Sequence, residues 1–129
     1  MDFNHHKIVR GDIFFAEFEH ATGSETLGMH PVIVVQNNAG NYYSNTIIGV
    51  VVTTQMTKAK IPTHVFLDGG QWLRDSVALA EQIYTIDKSR LKSYLGHLER
   101  CSMNRVDKAI CTSLALPDSR TAETDLPEK

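Results

Sequence analysis

The sequence predicts a mainly β domain with one C-terminal α-helix, folded as a small β-barrel. Short stretches rich in Val, Ile, Phe and Thr alternate with Gly, Asn and Asp turn signals, the pattern of a compact all-β architecture. A single stretch of helical periodicity follows them. At 129 residues the chain has the length of one domain, enough to bury a core without metal or disulfide staples.

Each element has its own local cause. Arg10-Gly11-Asp12 reads as a turn, and Ile13-Phe14-Phe15-Ala16-Glu17-Phe18 after it reads as the first strand. Pro31 to Gln36 is the second. Its apolar run Val32-Ile33-Val34-Val35 suits a strand buried on both faces. Asn37-Asn38-Ala39-Gly40-Asn41 then breaks the chain, because Asn and Gly tolerate positive φ. Thr46 to Thr54 is a third strand, with Gly49 permitting a bend or bulge. Thr63 to Leu67, closed by Asp68-Gly69-Gly70, and Ser76 to Ile83 are the fourth and fifth. Asp87 to Leu91 reads as a short connecting helix capped by Asp87. From Ser102 to Leu116 the apolar residues Met103, Val106, Ile110 and Leu114 recur at three- and four-residue steps, giving an amphipathic helix that packs on the barrel. Residues 1–9 form an N-terminal extension and 10–116 the domain; the polar stretch 117–129 is expected to be a disordered tail.

Composition narrows the function classes. The chain is 42% hydrophobic and 22% charged, ordinary for a globular domain. No run approaches the roughly 20 apolar residues of a membrane span, and the N-terminus lacks the apolar segment of a signal peptide, so a cytoplasmic protein without a membrane partner is expected. Cys101 and Cys111 stand too far apart along one helix to pair, and are expected to be reduced, partly buried thiols. A net charge of −2 gives no global attraction to nucleic acid. A nucleic-acid role would rest on a local patch, for which Lys58 and Lys60 are candidates, with Arg10, His30 and Arg74 if the fold gathers them. Scattered solvated charges are the alternative.

No His or Cys pair has zinc-ligand spacing, and no phosphate-cradling glycine loop or nucleophile elbow is present, so neither a metal nor a nucleotide cofactor is expected. The informative stretch is Gly23-Ser24-Glu25-Thr26-Leu27-Gly28-Met29-His30-Pro31, read as a polar loop delivering a carboxylate and an imidazole to a buried strand. With Thr53, Thr54, His64 and Gln82 it makes a hydroxyl-and-imidazole set suited to proton transfer. Cleaving RNA without a metal requires a base for the 2′-hydroxyl proton, an acid for the leaving 5′-oxygen, and donors to the developing negative charge. A histidine of ordinary pKa, about 6.5, serves either proton-transfer step at neutral pH. Bland readings stand beside these. Glu25 also suits a loop cap, Thr53 a strand end, His64 a structural role, and Trp72 either a base-stacking position or a plug between strands.

The ordered series Arg10-Gly11-Asp12-Ile13-Phe14-Phe15-Ala16, Gly23-Ser24-Glu25, Gly28 and Pro31-Val32-Ile33-Val34-Val35-Gln36-Asn37 resembles the MazF/PemK family of bacterial endoribonuclease toxins. The likeness continues through Gly40-Asn41, Thr46, Thr53, Gln55, Lys58-Ala59-Lys60-Ile61-Pro62-Thr63-His64-Val65, Arg74-Asp75-Ser76-Val77, Glu81-Gln82-Ile83, Thr85-Ile86-Asp87 and Leu91. It spans about Arg10 to Leu116.

The resemblance implies an SH3-like β-barrel with a C-terminal helix, a homodimer that binds RNA along the dimer groove, cleavage of single-stranded mRNA at short sequences, and a cognate antitoxin protein as partner. Thr53 matches the family's catalytic threonine. Glu25 and Gln82 match substrate contacts, and Ser24 and Thr54 beside these positions complete the expected substrate-binding set. The chain departs from the family at His30, where many members carry a catalytic arginine within Gly-x-Arg-Pro. Arginine offers a permanent charge and up to five donors, so the exchange is not conservative. His30 either takes the acid/base role and retains cleavage, or leaves an attenuated family member that binds RNA or antitoxin without cutting. A gyrase poison on the same fold class is a further alternative.

Overall fold

The computed structural model describes residues 7–18, 28–55, 61–68 and 74–117. Their order is β1 (Asp12–Phe18), β2 (Gly28–Val34), α1 (Asn38–Tyr43), β3 (Thr46–Thr53), β4 (His64–Leu67), β5 (Ser76–Asp87), a 3₁₀ turn (Lys88–Arg90), β6 (Leu91–His97) and α2 (Arg100–Leu114). The strands form one antiparallel sheet in the order β4-β5-β3-β2-β1-β6. The expected mainly β fold with a C-terminal helix is therefore present; among the described residues the sheet does not close, with β4 and β6 as its end strands, and is compatible with a barrel-like fold.

Several boundaries differ from the sequence reading. The second strand opens at Gly28, because Gly28, Met29 and His30 pair with Phe18, Glu17 and Ala16 of β1. His30 therefore stands on a strand and not in a loop. The fifth strand runs on to Asp87, and a sixth, β6, pairs with β1. The Asn-rich breaker contains a short helix, with the Asn37 side chain accepting from Gly40 N at 2.8 Å. The Asp87 cap is present as expected, its side chain accepting from Ser89 N at 2.9 Å.

Each sheet face carries its own apolar cluster. Ile13, Ile33, Val50, Val52, Val65 and Ala78 point to one side, where Val106 and Ala109 of α2 pack against them. Phe14, Ala16, Val32, Val34, Ile47, Val51 and Ile86 point to the other. The unbroken run Val32-Ile33-Val34 is needed because β2 contributes to both clusters. Met103 and Ile110 pack at the edge of the helix contact, whereas Leu114 faces outward. Ala115, left-handed at φ 58°, ends α2. Both cysteines are free, but Cys101 is exposed, contrary to the partly buried position expected for it. The tail beyond 117, the extension before 7, the segment between Phe18 and Gly28, and Trp72 lie outside the described residues.

The turn before β1 anchors the helix side. Gly11 has φ +99°, and a Cβ there would meet the His97 ring at 2.9 Å, so both backbone angle and space demand glycine. Arg10 donates from Nε to the Val35 carbonyl at 2.7 Å and from Nη2 to Asp107 of α2 at 2.7 Å. Asp12, buried, accepts from Val9 N at 2.9 Å and bonds the His97 ring at 2.8 Å.

Candidate active site

The site is built by strand register. Val32 of β2 faces Val51 of β3, and Ile33 faces Val50. Pro31 has no N–H to continue the ladder. Carried two residues further, the same register sets His30 opposite Thr53, and directly opposed residues on antiparallel strands share a face. Both follow Val32 and Val51 at two-residue spacing, so they extend the apolar row of the face remote from α2 out to its partly exposed end.

The surroundings give each group an orientation. Phe18, at the end of β1, lies with its ring 6.1 Å from the His30 ring and makes an edge contact with Tyr84 of β5 at 5.2 Å. The imidazole is thus bordered by aromatic surface. Thr53 Oγ1 accepts from Gln55 N at 3.2 Å, a bond that uses an acceptor lone pair and leaves the hydroxyl proton as a donor. Such a donor suits an anionic oxygen.

A bulge brings β5 toward the same place. Between Val50 and Val51 the paired residue on β5 jumps from Ile83 to Leu79, setting Ala80, Glu81 and Gln82 outside the ladder. Gln82, half-buried, leaves this bulge beside Val51, two residues along β3 from Thr53. Thr54 lies exposed just beyond β3. Ser24 and Glu25 lie outside the described residues. The structure thus brings His30, Thr53 and Gln82 to one region, with Thr54 at its border.

The basic patch imagined from sequence does not assemble as one cluster. Arg10 is held by Asp107 and the Val35 carbonyl at the other end of the sheet from His30, because its guanidinium fits a carboxylate and a carbonyl there. Arg74 precedes β5 at the His30 end and is exposed; Lys58 and Lys60 lie outside the described residues. Among the described residues no three His, Cys, Asp or Glu side chains form a group able to hold a metal ion.

A second polar group borders the bulge. Glu81 accepts from the Thr63 hydroxyl at 2.8 Å and bonds His64 Nε2 at 2.9 Å. Partial burial pushes the Glu81 carboxyl up, but the hydrogen bonds from His64 and Thr63 outweigh it, so the group lies below its ordinary range. The bond gives His64 the structural role weighed from sequence. Sequence reasoning assigned no role to Phe18, Tyr84 or Glu81. The aromatic residues follow their strands' alternation and carried no separate signal; Glu81 becomes polar-networked only because the bulge turns it toward β4.

Comparison with known proteins decides the family. Residues 9–114 match the family described as PemK-like, MazF-like toxin of type II toxin-antitoxin system. The chain belongs to this family. This PemK/MazF-like chain is 48% identical over 113 residues to Endoribonuclease EndoA of Bacillus subtilis (strain 168), covering 86% of this chain and 97% of that protein. It is similar, at 30% identity and TM-score 0.73, to a mycobacterial endoribonuclease solved in complex with its cognate antitoxin, covering 86% of this chain and 98% of the other. It shares its fold with MazF of Deinococcus radiodurans, at TM-score 0.75 and 20% identity, with 86% of this chain and 99% of that one covered.

Proposed function

We propose that this toxin-family chain is a metal-independent, sequence-selective endoribonuclease that cleaves single-stranded mRNA in the cytoplasm, works as a homodimer, and is held in check by a cognate antitoxin protein. The observation that carries the reading is the β2–β3 register, in which Val32 faces Val51 and which, carried two residues on, sets His30 against Thr53, in a chain whose relatives are named endoribonucleases. Cleavage requires the 2′-hydroxyl to attack the adjacent phosphorus while the P–O5′ bond breaks. One proton leaves the 2′-oxygen and another reaches the 5′-oxygen. His30 supplies the acid/base step. Thr53 donates its hydroxyl to a non-bridging phosphate oxygen, where negative charge grows. Ser24, Glu25, Thr54 and Gln82 contact the substrate around this pair.

An imidazole makes the reaction titratable where a guanidinium would not. The test is to incubate the purified chain and its His30→Arg variant with mRNA in EDTA from pH 5 to pH 9, and to map the RNA ends. Wild type is expected to cut at a short recurrent sequence with a pH-dependent rate, and the arginine variant to lose that dependence. No cutting by wild type at any pH overturns the reading; no cutting by wild type together with strong cutting by His30→Arg assigns the chain instead to binding RNA or antitoxin without cleavage. DNA supercoiling by gyrase is expected to be unaffected.

A further inference from the structure

We infer that Phe66 of β4 is a base-stacking platform for a nucleotide flanking the scissile phosphate, a specificity and affinity position of the proposed RNA site. The inference rests on the endoribonuclease reading and adds a residue to it. Phe66 faces Val77 of β5, and Val77 faces Thr53 of β3. Directly opposed residues share a face, so Phe66, Val77, Thr53 and His30 form one row across four strands. With neighbouring strands about 4.8 Å apart, Phe66 stands roughly 10 Å from Thr53, on the side away from His30.

The row changes character along its length. Ala16, paired with His30, is fully buried, while Phe66 is 48% exposed. Its neighbours along β4, Val65 and Leu67, turn to the other face and are buried there. Phe66 is therefore the large apolar side chain of β4 left on the surface, in line with the reactive pair. On the other side of that pair, on β1, stands the ring of Phe18, which also makes an edge contact with Tyr84 of β5. Aromatic surface thus brackets the site, and a strand lying across the row passes His30 and Thr53 before reaching Phe66.

The charge balance points to the same occupant chemistry. A chain of net charge −2 gains little from general attraction to phosphates, so affinity for single-stranded RNA has to come from base contacts. Every base has a π face. Phe66 offers a flat apolar surface without a hydrogen-bond preference, which holds a neighbouring nucleotide while the polar groups read others.

The experiment measures steady-state cleavage of a single-stranded oligoribonucleotide containing the mapped cut site by wild type, Phe66→Ala, Phe66→Leu and Phe66→Trp. Binding is measured in parallel with the same oligonucleotide blocked by a 2′-deoxy sugar at the cut, carrying 2-aminopurine at successive flanking positions. Phe66→Ala is expected to raise KM about 5- to 100-fold, with the loss in KM and not in kcat. Phe66→Trp restores it and Phe66→Leu does not; 2-aminopurine quenching at one flanking nucleotide disappears in Phe66→Ala. An unchanged KM overturns the inference. So does rescue by leucine equal to that by tryptophan, which marks simple apolar packing, or a change in oligomeric state in Phe66→Ala, which marks an interface between copies. Cleavage by wild type with any of these results refutes the platform alone; absence of cleavage by wild type refutes the endoribonuclease reading itself.

Discussion

The two ends of the β1–β2–β3 sheet are built from similar polar material and use it differently. At one end Arg10, Asp12, His97 and Asp107 satisfy one another and the backbone: Arg10 bonds the Val35 carbonyl and Asp107, and Asp12 bonds Val9 N and His97. At the other end, five residues or about 16 Å along β2, His30 is oriented by an aromatic neighbour and a strand partner, and the Thr53 hydroxyl accepts one local amide while keeping a proton to give. Polar groups that satisfy each other hold a fold together. The Thr53 hydroxyl, accepting one amide and keeping its proton, remains able to donate to a ligand.

Substitutions at the two ends should therefore separate activity from stability. His30→Ala and Thr53→Ala are each expected to slow RNA cleavage about 100- to 1,000-fold, since the proposed mechanism uses one for proton transfer and the other for charge stabilisation. Thermal unfolding should shift little. A melting temperature lowered in proportion to the activity lost would break the comparison.

The smaller effect belongs to the anchoring end. Arg10→Ala removes the bonds that tie the β1 turn to Asp107 of α2 and to the Val35 carbonyl, and is expected to cost about 1.5–3 kcal/mol of stability, read from urea unfolding. Cleavage per folded molecule should stay near wild type. A large loss of kcat without a loss of stability would move Arg10 into the site.

The smallest effect is electrostatic and lies at the bulge. His64→Ala should return the Glu81 carboxyl toward its ordinary range, observed by NMR titration of the side-chain carboxyl carbon. The folded-state value is depressed, so this contact contributes stability above the ordinary carboxylate range and loses it as pH falls through the lowered value. The difference in stability between wild type and His64→Ala should shrink on acidification across that window. A difference that grows on acidification would assign the main stabilising role to something other than the Glu81 bond.

The legibility of these regions in the sequence follows the same division. β1, β3 and the core of β2 announce themselves because their Val, Ile and Phe residues are buried by the two apolar clusters. β6 is not legible in the sequence because Lys92, Ser93 and Tyr94 are exposed and its pairing with β1 is irregular, which leaves no two-residue alternation to read. The sequence ends β5 at Ile83, past the bulge at Ala80 to Gln82; its continuation through Tyr84 to Asp87 is set by pairing with Thr46 to Gly49 of β3, a partner distant in sequence. α1 depends on contacts distant in sequence, including Lys88 Nζ donating to the Asn41 carbonyl at 2.6 Å. At the site, residue identity was legible and placement was not: His30 and Thr53 were singled out by chemistry and resemblance, but their opposition requires the β2–β3 register. Phe18 and Phe66 read as ordinary strand residues; the β1–β2 register sets Phe18 against the His30 ring, and the β3–β5 and β5–β4 registers set Phe66 in the same row as Thr53.

The central claim is that His30 and Thr53 act as one unit across β2 and β3. A double-mutant cycle of cleavage rates, using His30→Ala, Thr53→Ala and the double variant on one RNA substrate, tests it most directly. The account predicts a double variant little slower than the worse single variant, because either loss already disables the shared step. Losses that multiply in full, or single variants that cleave like wild type, would contradict it.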